Sequence, residues 1–174
     1  MKRVAIVGAC GSGKSYVARE LGRVLDVPVT HLDAIYYDND WNTLPPAEFE
    51  AAQRELVAAP SWIIDGNYNS SLEIRLRACD TVVMLDVSTW TALHGILSRQ
   101  ASHGAGQHAA GVYNRINWDV ITYVLGYRRK MHPQVVAKIR EFAPDKNVVF
   151  LTSRARARRW LENVAAAQAG HLPT

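Results

Sequence analysis

Eight residues near the start of the chain, Gly8-Ala9-Cys10-Gly11-Ser12-Gly13-Lys14-Ser15, have the types and spacing needed to hold a phosphate. In the pattern G-x-x-x-x-G-K-[ST], backbone N–H groups wrap phosphate oxygens, the lysine reaches the β and γ phosphates and the hydroxyl ligates Mg²⁺. Glycine is required because the backbone turns tightly and approaches the anion with no Cβ between them. The stretch Gly8 to Ser15 is therefore expected to bind ATP, with Mg²⁺ at Ser15.

Other residues could complete phosphoryl transfer, which needs a magnesium holder, cations over the transferring group and an acceptor pocket. Asp65 ends the apolar run Ser61-Trp62-Ile63-Ile64 and is expected to orient the magnesium's waters, with Asp86, after Thr81 to Leu85, as the spare. A turn started by Asp65 with Gly66 is the ordinary alternative. Asp33, beside His31, Tyr36 and Tyr37, could hold an acceptor hydroxyl and take its proton, or simply cap a turn. The acceptor side gathers Asp33, Tyr36, Gly66, Asn67, Tyr68 and Arg75, the last either fixing an anionic acceptor or lying on a solvated helix face.

Arg99, Arg115, Arg128 and Arg129 flank Ala101 to Gly111, a glycine-containing stretch without usable period. They suit a mobile lid over 99–130 that excludes water and brings guanidinium groups to the γ-phosphate, so Lys14, Asp33, Asp65, Arg99, Arg115 and Arg128 form the expected catalytic set. His103 and His108 lack the rest of a metal site. Trp118, Tyr123 and Tyr127 share one helix face and are expected to pack in the core, with base stacking as the second explanation.

These residues must be positioned by elements. Val4 to Val7 reads as a buried strand and Tyr16 to Leu25 as the helix after it. Further strands are expected at Val27–Leu32, Ser61–Ile64, Thr81–Leu85 and Asn147–Leu151, with helices opening at Pro45, Leu72, Thr89, Val112 and Pro133 and a last one from Arg154 through Val164. Ala34 to Pro46 reads as a structured loop and the tail from Ala165 as frayed. Apolar strands alternating with helices predict an α/β three-layer sandwich: a five-stranded parallel sheet, helices on both faces and a small helical lid. Gly8, Asp33, Asp65, Asp86 and Ser153 then fall at the carboxyl ends of strands, where ligands bind in such sheets, and Ser153 and Arg154 join the nucleotide contacts.

The bulk properties agree with one domain over 1–174: 174 residues, 48% hydrophobic. Two cysteines make neither a disulfide framework nor a zinc site, and no stretch approaches a membrane span, which points to a reducing, cytoplasmic setting. The net charge of +4 suits a phosphate-bearing ligand and equally a nucleic acid. Charge does not separate these partners, nor a monomer from a homodimer.

The combination G-A-C-G-S-G-K-S, H-L-D-A-I-Y-Y, W-I-I-D-G-N-Y, R-I-N-W-D and L-T-S-R resembles the adenylate-kinase-like P-loop kinases, specifically the subgroup labelled topology-modulation proteins. The resemblance reaches to about Leu161. It implies that Lys14 and Ser15 serve ATP and magnesium, that Asp65-Gly66 is the D-G ending the third strand, that Arg99 begins the lid and that Asp33 stands where shikimate- and gluconate-type kinases hold an acceptor hydroxyl. Adenylate kinases follow D-G with F-P-R; here Asn67-Tyr68 follows, and the usual AMP-site arginine is absent at that point. The expectation is an ATP- and Mg²⁺-dependent kinase acting on a hydroxyl or phosphate of a nucleotide or other small molecule. The rivals are a nucleotide-binding regulator of DNA topology or of a partner, and a kinase acting on a modified base in DNA.

Overall fold

A computed structural model describes residues 1–38, 40–103, 106–108, 112–114 and 118–170. At its centre is β1 (Arg3–Gly8), whose Val4, Ala5, Ile6 and Val7 are wholly buried. A strand buried on both faces reads as an unbroken apolar run rather than an alternating one, which is why it is visible in sequence.

The strands β2 (Val29–His31), β3 (Trp62–Asp65), β4 (Thr81–Leu85) and β7 (Asn147–Leu151) complete a five-stranded sheet in the order β2-β3-β1-β4-β7. Every pairing in it is parallel. The register sets His31 beside Asp65, Ile6 beside Asp65, Gly8 beside Leu85 and Leu85 beside Leu151, so the carboxyl ends form one rim.

Alternate side chains of β1 face opposite layers. Val4 and Ile6 pack with α1 (Lys14–Leu25) and α8 (Arg154–Ala169) through Val17, Leu21, Ala157 and Leu161. Ala5 and Val7 share the other layer with Phe49 of α3 (Pro46–Val57), Leu72 and Leu76 of α4 (Leu72–Ala78), and Val135 and Ile139 of α7 (His132–Phe142). A smaller cluster of Ala9, Val87, Ala92, Ile96, Val124 and Tyr127 seats α5 (Thr89–His103) and α6 (Trp118–Lys130) beside the glycine loop.

The connections depart from expectation in four places. The stretch expected as one helix from Val112 begins as the strand β6 (Val112–Asn114), paired antiparallel with β5 (Gly106–His108), and α6 starts only at Trp118. Val112 and Tyr113 favour extended backbone, and a neighbouring segment supplies their hydrogen bonds. The loop after β2 opens with the short helix α2 (Asp33–Tyr36) and closes through a Tyr37–Thr43 bridge, inside which Asp38 accepts from the backbone N–H groups of Asp40 and Asn42. The last helix continues past Val164 to Ala169, because alanines favour helix. Of the three aromatic residues expected to share the core face of α6, Tyr127 alone is buried, while Tyr123 is 36% and Trp118 78% exposed.

Candidate active site

The glycine loop leaves β1 at the middle of the rim. At Gly8, with φ 145°, an added Cβ would lie 2.6 Å from the Leu85 carbonyl oxygen. At Gly11, with φ 75°, it would lie 2.1 Å from that of Ala92. Neither position admits another residue without displacing backbone. Gly13 then turns the chain in the left-handed region and α1 begins at Lys14, so the loop amides and the helix N-terminus share one concavity. Lys14 Nζ donates to the Ala9 carbonyl at 3.0 Å, folding the lysine across the loop. The Ser12 hydroxyl is buried and has no hydrogen-bond partner among the described residues.

Asp65 faces the start of α1. It is 3% exposed; its Oδ2 accepts from Ser15 Oγ at 2.8 Å, and its Oδ1 lies 2.6 Å from His31 Nδ1, which donates to it in the tautomer that suits a carboxylate. Its backbone is equally fixed: the Leu32 N–H donates to the Asp65 carbonyl, and the Gly66 N–H to that of Ile6. Asp86 has other partners. Its Oδ1 accepts from Arg128 at 3.0 Å and sits 3.3 Å from His132 Nε2, an ion-pair distance without hydrogen-bond geometry.

The wall beyond Asp65 is built from the connections that leave β2 and β3. Asp33, exposed at the start of α2, accepts from the Tyr68 hydroxyl at 2.7 Å. Burial pushes that hydroxyl's pKa well above the ordinary tyrosine value, and the Asp33 charge adds to the effect, so Tyr68 remains a donor. The Tyr68 ring is held between Tyr36 and Phe49, each at 4.8 Å. Asn67 spans the cleft: its Oδ1 lies 3.4 Å from the Gly8 N–H, and its Nδ2 donates to Tyr123 Oη at 2.7 Å.

Arg75 departs from both expectations for it. It lies wholly inside the protein, neither on a solvated face nor at an acceptor. Its guanidinium donates to the Gly66 carbonyl at 2.6 Å and the Tyr68 carbonyl at 3.4 Å. Burial lowers its pKa to about 10, an effect the nearby Asp65 charge opposes. It pins the turn that carries Asn67 and Tyr68.

A cavity of about 1040 Å³ opens between these groups. Of the residues expected at the site, Cys10 to Ser15, Asp33, Asp65, Gly66, Asn67, Tyr68 and Arg154 line it. Gly8 and Ala9 lie behind the loop and Tyr36 sits in the aromatic cluster. Ser153 caps α8, its hydroxyl accepting from the Arg156 N–H at 3.2 Å. Arg154 donates to the Thr91 carbonyl at 3.4 Å. Arg128 is paired with Asp86 and does not line the cavity. Arg115 and the side chains of Arg99, His103 and His108 lie outside the described residues.

Tyr37, named in the sequence beside Asp33, lines the wall, and sequence reasoning missed Trp41, Asn69, Arg19 and Arg158 there. It also missed the His31 bond to Asp65, whose one signal is the register that sets β2 against β3.

Sheet order, parallel pairing and loop position together define the fold of the small P-loop kinases. Among solved structures the chain is similar to a shikimate kinase from Acinetobacter baumannii in complex with shikimate, at 15% identity and a TM-score of 0.62 over 99% of this chain and 96% of that one. It is also similar to a deoxyadenosine kinase from M. mycoides with dCMP and dCDP bound, at 16% identity and 0.52 over 96% and 98%. A third is a sugar kinase from Janibacter sp., at 15% and 0.50 over 98% and 93%. No family model and no curated protein matches the sequence, so the resemblance to the topology-modulation subgroup rests on its motifs alone.

Proposed function

We propose that the chain is an ATP- and Mg²⁺-dependent phosphotransferase for a small-molecule acceptor, one domain in which 99–130 acts as the lid. The observation that carries this reading is a single cavity with the glycine loop, the Ser15–Asp65 pair and Asp33 on its walls. The residues fit a magnesium nucleotide. The loop is a cradle that a Cβ would fill, Lys14 can exchange its Ala9 carbonyl for phosphate oxygens, and Ser15 with Asp65 offers a hydroxyl and a carboxylate side by side. Among the described residues no cluster of three or more His, Cys, Asp or Glu is placed to hold a metal. An ion at Ser15 would be held by one hydroxyl, waters and phosphate oxygens rather than by a protein cage.

Magnesium, when bound with the nucleotide, supplies charge neutralisation at the β and γ phosphates. The chain's own groups do the rest. His31 holds Asp65 in the rotamer that faces Ser15, Lys14 meets the phosphates, and Asp33 accepts the acceptor's hydroxyl proton. Arg99, Arg115 and Arg128 are proposed to cover the γ-phosphate, Arg128 by leaving Asp86. The neighbours' shikimate, sugar and nucleoside acceptors motivate an acceptor of that size.

The test is ATP binding and phosphate transfer by the wild type and Lys14→Ala across a panel of alcohols and nucleotides. Wild-type protein should form ADP and a phosphate ester in equal amounts, with Lys14→Ala slower by about 10²-fold or more. Tight ATP binding with no ester from any acceptor would favour the nucleotide-binding regulator.

A further inference from the structure

The cavity is chemically two-sided. Its described cations, Lys14, Arg19, Arg154 and Arg158, come from the glycine loop, α1 and α8. The two connections leaving β2 and β3 contribute Asp33, Tyr37, Trp41, Asn67, Tyr68 and Asn69, which amount to one carboxylate, two amides and three aromatic rings.

This polarity is written into the sequence as well. No Lys, Arg or His occurs between residues 32 and 53 or between 65 and 74, whereas Asp33, Asp38 and Asp40 fall in the first of these stretches. The first cation after the second stretch is Arg75, which is wholly buried, donates to the Gly66 and Tyr68 carbonyls and does not line the cavity. A phosphate or carboxylate seated at Asp33 would therefore meet a like charge and no described guanidinium. At roughly 6 Å and an effective dielectric near 20, that repulsion weakens binding by about a hundredfold.

We infer that the acceptor at this wall is an alcohol with no anionic group, its hydroxyl at Asp33 and a ring or apolar face along Trp41 and Tyr37. This deepens the phosphotransferase reading and rests on it for the transfer step alone. In that step the alcohol oxygen bonds to the γ-phosphorus of ATP while the bond from that phosphorus to the β,γ-bridging oxygen breaks. The hydroxyl proton passes to Asp33, and ADP leaves with the bond's electrons. The two wall rings lie 5.5 Å apart at 60°, a corner that covers an uncharged sugar or base and equally an aminated ring, which the carboxylate would favour.

The experiment is calorimetric titration of the full chain, held with Mg²⁺ and a non-hydrolysable ATP analogue, using matched pairs: deoxycytidine and dCMP, adenosine and AMP, inositol and inositol monophosphate, with glucosamine as the aminated probe. At least one uncharged or aminated member should bind, with its anionic counterpart about a hundredfold weaker. Asp33→Asn should narrow that gap to tenfold or less by strengthening the anion's binding, while affinity for the ATP analogue stays unchanged. An anion that binds as tightly as its neutral counterpart, a gap that Asp33→Asn leaves in place, or no binding by any uncharged or aminated probe overturns the inference. An alcohol that binds yet yields no ester with ATP overturns the phosphotransferase reading instead and leaves the charge preference standing.

Discussion

Asp65 and Asp86 occupy equivalent ground, at the carboxyl ends of the two strands that flank β1, and do opposite things. Asp65 is almost fully buried and bonded on one side to Ser15 and on the other to His31. Asp86 turns towards Arg128 and His132 and so ties α6 and α7 to the sheet. What separates them is the neighbouring strand. β3 lies next to β2, which brings a histidine into register with Asp65, while the pairing of β4 with β7 ends at Leu85 and Leu151, one residue before Asp86. The two carboxylates differ in what meets them, a histidine from the adjacent strand at Asp65 and two side chains from α6 and α7 at Asp86.

Substitutions can break that contrast in graded steps. Asp65→Asn should reduce phosphate transfer by about 10³-fold, read as ADP release under saturating nucleotide, whereas Asp86→Asn should change it less than about fivefold. Equal losses would erase the distinction. Arg75→Met should lower stability by about 1–3 kcal/mol in urea unfolding, because the buried Gly66 carbonyl loses its donor and the Tyr68 carbonyl is left to Ser71. His31→Leu leaves Asp65 Oδ1 without its partner and should weaken Mg²⁺ binding by about tenfold in a direct titration, with ATP affinity in the absence of metal little changed.

The smallest effect belongs to Asp80, which precedes β4 as Asp86 follows it. Its partial burial raises the carboxyl pKa, but N–H donors from Lys2 and Arg3 and the Thr81 hydroxyl outweigh that and hold it below the ordinary value. A lowered folded-state pKa means the stabilisation is present above the unfolded-state value and is lost as pH falls through the folded one. Asp80→Asn should therefore flatten the acid end of the stability profile and leave activity at neutral pH unchanged, as measured by thermal unfolding across an acid pH series.

The sheet was legible because four of its five strands are short apolar runs ending at polar residues, and the phosphate loop because its motif fixes both backbone and chemistry. Arg75 was misread although its neighbours announce its burial: Leu72 and Leu76, three residues before and one after, mark the inner face of α4. A charged residue on that face is rare, and an acceptor contact and a solvated face are the ordinary readings of an arginine there. The β5–β6 hairpin was illegible for another reason. Strands of three residues have no period to detect, and their pairing is decided by a neighbour rather than by their own composition. Of the wall residues, Tyr37 closes the H-L-D-A-I-Y-Y stretch and Trp41 belongs to no motif. They reach the cavity because the Asp38 turn and the Tyr37–Thr43 bridge bend that connection back over it.

The central place of β1 also governs when the loop can exist. β1 leaves no stable sheet behind it until β3 and β4 pair on either side, and the surface beneath Gly8 is the Leu85 backbone. The loop precedes residues near 85 in the chain, yet its conformation waits until they have followed and paired, a non-local closure that slows folding. Amino-terminal fragments that stop short of β4 should fail to bind nucleotide even though they contain every residue of the motif.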